Sequence, residues 1–302
     1  MKKGLWYAVI ASLLLASHTL FAQHFLEYVN PATANTLWFG TVFVISSLFL
    51  LKTHSFNPKE IIISYGRHWK DGLIVGGLNA IAATLVYNAI NLIGPATTSF
   101  LLRISMIFIV ILGVVFLKER LHFHDLVGFV LAIIGTAVIS VSDGNYFGLG
   151  VAIAIIATVA IALHQFFAKI FVAKIAPLKL VNIRTVFSSS LLLLFALLTK
   201  SFEPSKLPLQ QFMLLLLGGA ISVIGFYFFY KALEAAEVSK VAVIRSLDPF
   251  VVVIYSLLIY HSVPSTQEIL GGTLIVLGVT VMTAHRGLIS IITRVKNLVL
   301  PD

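Results

Sequence analysis

The chain has 302 residues, of which 59% are hydrophobic and only 11% are charged, and its mean hydropathy is +1.02. A soluble globular chain carries roughly 25% charged residues, so this composition excludes a soluble fold. There is no cysteine, which excludes disulfides and thiolate chemistry. The formal charge of +9 does not require a nucleic-acid partner, and we expect none, because cytoplasmic loops of membrane proteins collect Lys and Arg. The predicted fold class is an all-α polytopic membrane protein in a lipid bilayer.

Apolar runs of about 20 residues, enough to cross about 30 Å of hydrocarbon, predict ten transmembrane helices. Their approximate bounds are 5–23, 32–51, 72–92, 96–117 and 121–141, then 149–171, 181–198, 212–235, 241–260 and 267–284. The basic start and the first apolar run also fit a cleaved signal peptide, but the length of the run favours a retained helix. For residues 286–302 we predict a cytoplasmic amphipathic tail at the membrane interface, with a disordered tail as the alternative.

The basic residues outside the predicted spans indicate the orientation, because they accumulate on the cytoplasmic side. With the N-terminus inside, the outer side holds only Lys200 and Lys206, and the inner side holds Lys2, Lys3, Lys52, Lys59, Arg67, Lys70, Lys118, Arg120, Lys174, Lys179, Lys240, Arg286, Arg294 and Lys296. We therefore predict a multi-pass protein of the cell membrane with both termini in the cytoplasm.

The chain repeats itself with an offset of about half its length. Residues 16–31 recur as 162–177 at an offset of 146, which pairs His18 with His164. At an offset of 143 the second half of each unit coincides at Tyr87/Tyr230, Gly128/Gly271 and Gly135/Gly278, and an offset of 144 pairs residues 41–43 with 185–187. We predict two units, 5–141 and 149–284, with chance similarity as the alternative. Five helices per unit is an odd number, so the second unit would be inverted, as in many secondary transporters.

Ionisable groups at membrane depth usually face a cavity or a partner. His18 lies 13 residues past Leu5, about 20 Å from the inner surface, and His164 lies 15 residues past Leu149, about 22 Å from the outer surface. The first histidine therefore belongs to the outer half of the membrane and the second to the inner half. Each is either a core residue bonded to a neighbouring helix or a group that exchanges protons or contacts substrate.

Charged residues in spans four and nine suggest a carboxylate site. Arg103 and Arg245 are predicted to hold a carboxylate, because a guanidinium matches it with two parallel hydrogen bonds. Asp248 lies three residues after Arg245, so a local ion pair is the alternative. Pro249 removes a backbone hydrogen bond and predicts a hinge or a bare carbonyl. We place Arg184 nearer the inner interface, where its long side chain could reach water.

Polar side chains of the third and eighth spans complete the predicted site. Together with the ionisable groups, the substrate-binding candidates are His18, Asn79, Asn88, Arg103, His164, Tyr227, Arg245 and Asp248. Gating or hinge roles are predicted for Tyr87, Tyr230 and Pro249. For the tyrosines, ordinary interfacial belt residues are the alternative.

The run FLKERLHFHDLVGFVLAIIG, residues 116–135, resembles the signature that closes each half of EamA-type transporters of the drug/metabolite transporter superfamily. The steps at residues 87–90 and 230–233 resemble the Tyr-x-Ala-Leu step that ends the third helix of that repeat. The second half departs from the pattern, with His261 and Ser262 where the first has Lys118 and Glu119. The resemblance implies a ten-helix metabolite exporter, often of amino acids, with a cavity lined by helices 1, 3 and 4 and their twins 6, 8 and 9.

From the residues and the resemblance together we predict a secondary transporter that exports small metabolites by alternating access, amino acids or related zwitterions and carboxylates first. A transporter of organophosphate or nucleotide-linked metabolites is the alternative. An intramembrane enzyme is a remote one, because the chain has no HExxH, GxSxG or paired intramembrane aspartates. We expect a small-molecule substrate, no cofactor, no metal, protons as a candidate coupling ion, and a monomer.

Overall fold

The computed structural model describes residues 2–53, 58–117, 123–140, 144–236, 241, 244–245, 247–261 and 263–281, and all regular structure in these residues is helical. The helices are α1 Lys2–Leu26, α2 Pro31–Thr53, α3 Pro58–Arg67, α4 Trp69–Ile93, α5 Pro95–Leu101, α6 Ser105–Leu117, α7 Phe123–Ser140, α8 Gly144–Val172, α9 Pro177–Leu198, α10 Gln211–Ala235, α11 Asp248–Tyr260 and α12 Thr266–Val281. The predicted tail and the Glu119-Arg120 step lie outside the described residues.

Six of these helices, α1, α2, α4, α8, α9 and α10, are long and apolar enough to cross a membrane. The other four predicted spans contain the shorter apolar helices Pro95–Ile109, Leu126–Val138, Asp248–Tyr260 and Thr266–Val281. The polytopic membrane fold is therefore confirmed, and the number of ten crossings stays a prediction. We call the end of the bundle where α1 begins the N-terminal face and the other end the opposite face.

Two predicted spans are interrupted. A single 3-10 turn, Leu102–Ile104, separates α5 from α6, and the predicted span 241–260 has a turn at Leu247 before α11 begins. Pro249 explains the second interruption, because it has no N–H to donate to the preceding turn. Near the first, the hydroxyls of Thr98 and Ser105 donate to backbone carbonyls four and three residues back, a pattern that bends helices.

The long polar connection between α2 and α4 contains the helix α3, which the sequence analysis did not predict. The Tyr65 hydroxyl donates to the Asn182 side chain of α9 at 2.6 Å, and Asn182 donates in turn to the hydroxyls of Ser46 and Ser47 on α2. Burial raises the pKa of Tyr65 above its ordinary value, so its hydroxyl remains a donor at neutral pH. These bonds fix α3 to α2 and α9 at the N-terminal face.

The helices pack in reciprocal pairs. The two most extensive contacts are α1 with α10 and α4 with α8, and α2 packs on α9 between them. Exchanging α1 with α8, α2 with α9, and α4 with α10 reproduces this pattern, including the contacts of α4 with α9 and of α2 with α10. The core accordingly contains large buried side chains from both halves, including Trp38, Tyr87, Ile183 and Tyr230.

Glycines permit the close crossing of α7 and α12. A Cβ added to Gly135 would lie closer than 3.0 Å to the carbonyl oxygen of Gly271, and one added to Gly278 would lie as close to the carbonyl oxygen of Gly128. Real Cβ atoms essentially never approach so closely. The four glycines that coincide in the sequence repeat thus face each other in two matched pairs.

Polar contacts join the two halves at the opposite face. Asn30 and Thr33, at the start of α2, donate to the carbonyl oxygen of Ser201 at 2.8 Å, and Glu203 N–H donates to Thr33. Lys206 pairs with Glu203 at 2.9 Å, and this hydrogen bond lowers the pKa of the Glu203 carboxyl. The α9–α10 connection is therefore tied to the α1–α2 connection.

Candidate functional site

A buried ion cluster joins the two interrupted helices. Asp248 is 4% exposed, and its Oδ2 accepts hydrogen bonds from Nη1 of Arg103 at 3.2 Å and from Nε and Nη2 of Arg245 at 3.2 and 2.9 Å. The predicted local pair of Arg245 with Asp248 is present. Arg103 belongs to the first half of the chain, so one carboxylate pairs with an arginine from each half.

Pro249 affects the hydrogen bonds of this cluster. In a continuous helix the carbonyl of Arg245 would accept the N–H of residue 249, which proline lacks. Arg103 Nη1 instead donates to that carbonyl at 2.7 Å. The Arg245 carbonyl therefore lacks its helical N–H partner, as predicted from Pro249, and an arginine of the first half donates to it instead. The guanidinium of Arg245 also lies 4.6 Å from the ring centre of Phe229.

Arg184 of α9 is the second feature of the buried centre. Its side chain is 0% exposed, and its guanidinium stacks 3.7 Å from the ring centre of Phe226 and 5.7 Å from that of Tyr230. None of its three nitrogens has a hydrogen-bond partner in the part of the chain that the structure describes. The Tyr230 hydroxyl is close to it but outside hydrogen-bonding geometry.

The two repeated histidines both lie within electrostatic reach of Arg184, whose charge acts on both rings. His18 Nε2 is 3.2 Å from the Tyr87 hydroxyl, and its ring stacks 4.9 Å from that of Trp38. His164 is 7% exposed, and its Nε2 has no partner among the described residues. The structure thus brings both histidines to one arginine, although the depth estimate assigns them to opposite halves of the membrane.

The remaining predicted residues separate into central and peripheral ones. Asn79 is buried near the middle of α4, and its amide nitrogen has no partner within the described ranges. Asn88 donates to the carbonyl of Thr84 in its own helix. Tyr227 packs on Phe228 and lies near Lys231, towards the end of α10. Of these three, Asn79 is the one with a buried donor that no described residue satisfies.

Arg184 is a functional candidate that the sequence analysis does not place among the substrate-binding residues. Its position near the start of the predicted span suggested that the side chain could reach water. In the structure α9 packs between α2 and α4, which closes that route. One signal was available, because the offset of 144 pairs Arg184 with Gly40, so this charge has no twin in the first half.

Positive charge exceeds negative charge among the side chains of this centre. Arg103 and Arg245, with side chains 11% and 12% exposed, share the buried Asp248, whereas Arg184 is fully buried, so these four residues carry a surplus of two positive charges, 3 − 1. The described residues contain no group of three or more His, Cys, Asp or Glu that could hold a metal. Membrane-crossing helices around an enclosed, charged centre are the architecture of a membrane transport protein.

Comparison with known proteins gives the family. The model of the EamA-like transporter family matches residues 2–141 and again residues 148–284. The chain belongs to the EamA-like transporter family, and its resemblance to the drug/metabolite transporters is confirmed.

One relative is described as a transporter, and one solved structure shares the fold. A protein of Archaeoglobus fulgidus described as an uncharacterized transporter is 26% identical over 234 residues, which span 75% of this chain and 83% of the relative. A solved structure described only as the crystal structure of a protein is 19% identical, has a TM-score of 0.67, and is matched over 94% of this chain and 97% of its own. At that identity the likeness concerns the fold alone.

Proposed function

We propose that the protein is a secondary transporter that exports small metabolites bearing a carboxylate, amino acids first, by alternating access. The surplus of two positive charges among Arg103, Arg184, Arg245 and Asp248 carries this proposal. A buried charge without a partner is costly, so an anionic ligand that neutralises it gains affinity. The family supplies the transport function, and the charge supplies the class of substrate.

Alternating access draws support from the repeat. The family model matches each half of the chain, and the helix contacts are reciprocal under exchange of the halves. Two inverted units of this kind exchange an outward-open and an inward-open state by swapping their conformations. The central side chains are enclosed, and polar contacts tie both ends of the bundle, so opening either end requires some of these bonds to break.

We further propose that the N-terminal face is cytoplasmic and that the protein lies in the cell membrane as a monomer. Among the described residues outside the long helices, lysine and arginine are concentrated at that face, which the positive-inside rule assigns to the cytoplasm. Protons remain a candidate coupling ion. Because Asp248 is already held by two arginines, His18 and His164 are the more suitable proton carriers.

The same charge surplus favours a second candidate, a transporter of organophosphate or nucleotide-linked metabolites, since guanidinium groups also bind phosphate. A thermal-shift panel in detergent separates the two, because a ligand that binds only the folded state raises its stability. We expect L-amino acids to raise the melting temperature and their amides not to do so. If neither amino acids nor phosphorylated metabolites raise it, the proposal of an anion carrier is wrong.

A further inference from the structure

Arg184 differs from Arg103 and Arg245 in having no acidic partner among the described residues. Arg103 and Arg245 share Asp248, whereas the Arg184 guanidinium lies beside the aromatic rings of Phe226 and Tyr230. Stacking on an aromatic face stabilises a cation but leaves the N–H groups at its edge unused. An uncompensated charge that is fully buried is destabilising, so an anionic ligand that paired with it would remove this cost.

Other polar atoms near this guanidinium are also unsatisfied. The Tyr230 hydroxyl and His164 Nε2 lie near it, and neither has a hydrogen-bond partner among the residues described. Helix α4 also approaches closely, because a Cβ on Gly76 would lie 3.0 Å from the carbonyl oxygen of Arg184. One turn further along α4, the amide nitrogen of Asn79 is buried and has no partner among the described residues. In the part of the chain that the structure describes, these three groups and the Arg184 guanidinium therefore lack hydrogen-bond partners.

The corresponding place in the first half has a hydrogen bond that the second half lacks. There His18 and Tyr87, the sequence twins of His164 and Tyr230, are bonded to each other at 3.2 Å. The position that corresponds to Arg184 is Gly40, which brings no charge. The two related places are therefore unequal: within the described residues, the one in the second half combines an arginine without an acidic partner with polar groups that have no hydrogen-bond partner.

We propose that Arg184 binds the carboxylate of the substrate through two parallel hydrogen bonds, with Tyr230 donating to the same anion and His164 contacting a second polar group of the substrate. This assignment rests on the proposed function and deepens it. It places one anion site in each molecule, in the second half. Arg103 and Arg245 then connect the interrupted helices through their ion pairs with Asp248.

The substitution Arg184→Met tests the assignment in two ways. Without ligand, replacing an unpaired buried charge by an apolar side chain of similar length should raise the melting temperature by at least about 2–4 °C. The rise in melting temperature that L-amino acids produce in the wild type should be lost, because a charge-assisted pair accounts for about 10- to 100-fold in affinity. The matched control is Arg67→Met in the exposed part of α3, which should change neither quantity.

Each outcome decides the question. A retained response to amino acids in Arg184→Met overturns the assignment and leaves the proposed function standing. A lowered melting temperature in the folded variant also overturns it, because it would mean that Arg184 is a structural residue. If the wild type responds only to phosphorylated metabolites, the assignment of a carboxylate as the ligand is overturned. If it responds to no anion, the proposed function itself is overturned.

A second variant covers the case in which Arg184→Met does not fold. Arg184→Lys keeps the charge but loses the paired donors of the guanidinium. About tenfold weaker binding of amino acids supports the assignment, and unchanged affinity contradicts it.

Discussion

Exchanging Asp248 for asparagine removes the single negative charge of the buried cluster and leaves its volume almost unchanged. In the wild type, Asp248 Oδ2 accepts three hydrogen bonds of 2.9–3.2 Å from Arg103 and Arg245. The variant leaves two guanidinium groups without a counter-ion at the point where both helices are interrupted. Removing one partner of a buried ion pair costs about 3–5 kcal/mol. We expect the lower end, about 3 kcal/mol, because the amide oxygen still accepts a hydrogen bond.

Thermal unfolding in detergent measures this loss. At about 2–4 °C per kcal/mol, the melting temperature should fall by about 6–12 °C. Glu234→Gln is the control, because Glu234 forms an exposed pair with Lys231, and such pairs contribute at most about 1 kcal/mol. The loss should shrink when Asp248→Asn is made in an Arg103→Met background, since one stranded cation is then gone. An unchanged or higher melting temperature for Asp248→Asn alone would refute the claim that the pairing of Asp248 with Arg103 and Arg245 stabilises the fold.

Three further predictions concern packing and the two faces of the bundle. Gly135→Ala should destabilise the protein by about 1–3 kcal/mol, because the added Cβ overpacks against backbone. The control Gly40→Ala has open space around the added Cβ and should change stability by less than about 1 kcal/mol. Equal melting temperatures of the two variants would contradict the close crossing of α7 and α12. Tyr65→Phe removes a hydroxyl bonded to a buried amide of α9 and should cost about 1 kcal/mol in the same assay, and no loss would mean that α3 is not fixed by this bond. The hydrogen bond from Lys206 lowers the pKa of the Glu203 carboxyl. The stabilisation of the fold by this pair is therefore complete above the ordinary carboxyl pKa range and is lost as the pH falls through the lowered pKa. A melting-temperature difference between wild type and Glu203→Gln that persists at acid pH would contradict this.

The sequence was sufficient for what depends on local spacing. Arg245 and Asp248 are three residues apart, so their pairing follows from helical geometry. Pro249 removes a known hydrogen bond, so the bare carbonyl also follows. The repeated glycines were found as coincidences in the alignment, and in the structure they pair between α7 and α12. In each case the cause lies within a few residues or within one offset.

What could not be predicted depends on distant parts of the chain. Arg103 reaches the carbonyl of a residue 142 positions away, and no periodicity indicates which arginine will do so. The burial of Arg184 results from the packing of α2 and α4 around α9, whereas its place in the sequence suggested access to water. Helix α3 was missed because its charged residues interrupt the apolar pattern by which the spans were recognised.

Counterflow in proteoliposomes tests the central claim most directly. Vesicles containing the wild type and loaded with a mixture of unlabelled L-amino acids should accumulate a labelled L-amino acid from outside, since exchange through one site needs no coupling ion. Vesicles with Arg184→Met should accumulate none, and those with Arg67→Met should match the wild type. Equal counterflow in the wild type and in Arg184→Met would contradict the claim that an amino-acid carboxylate binds at this buried arginine.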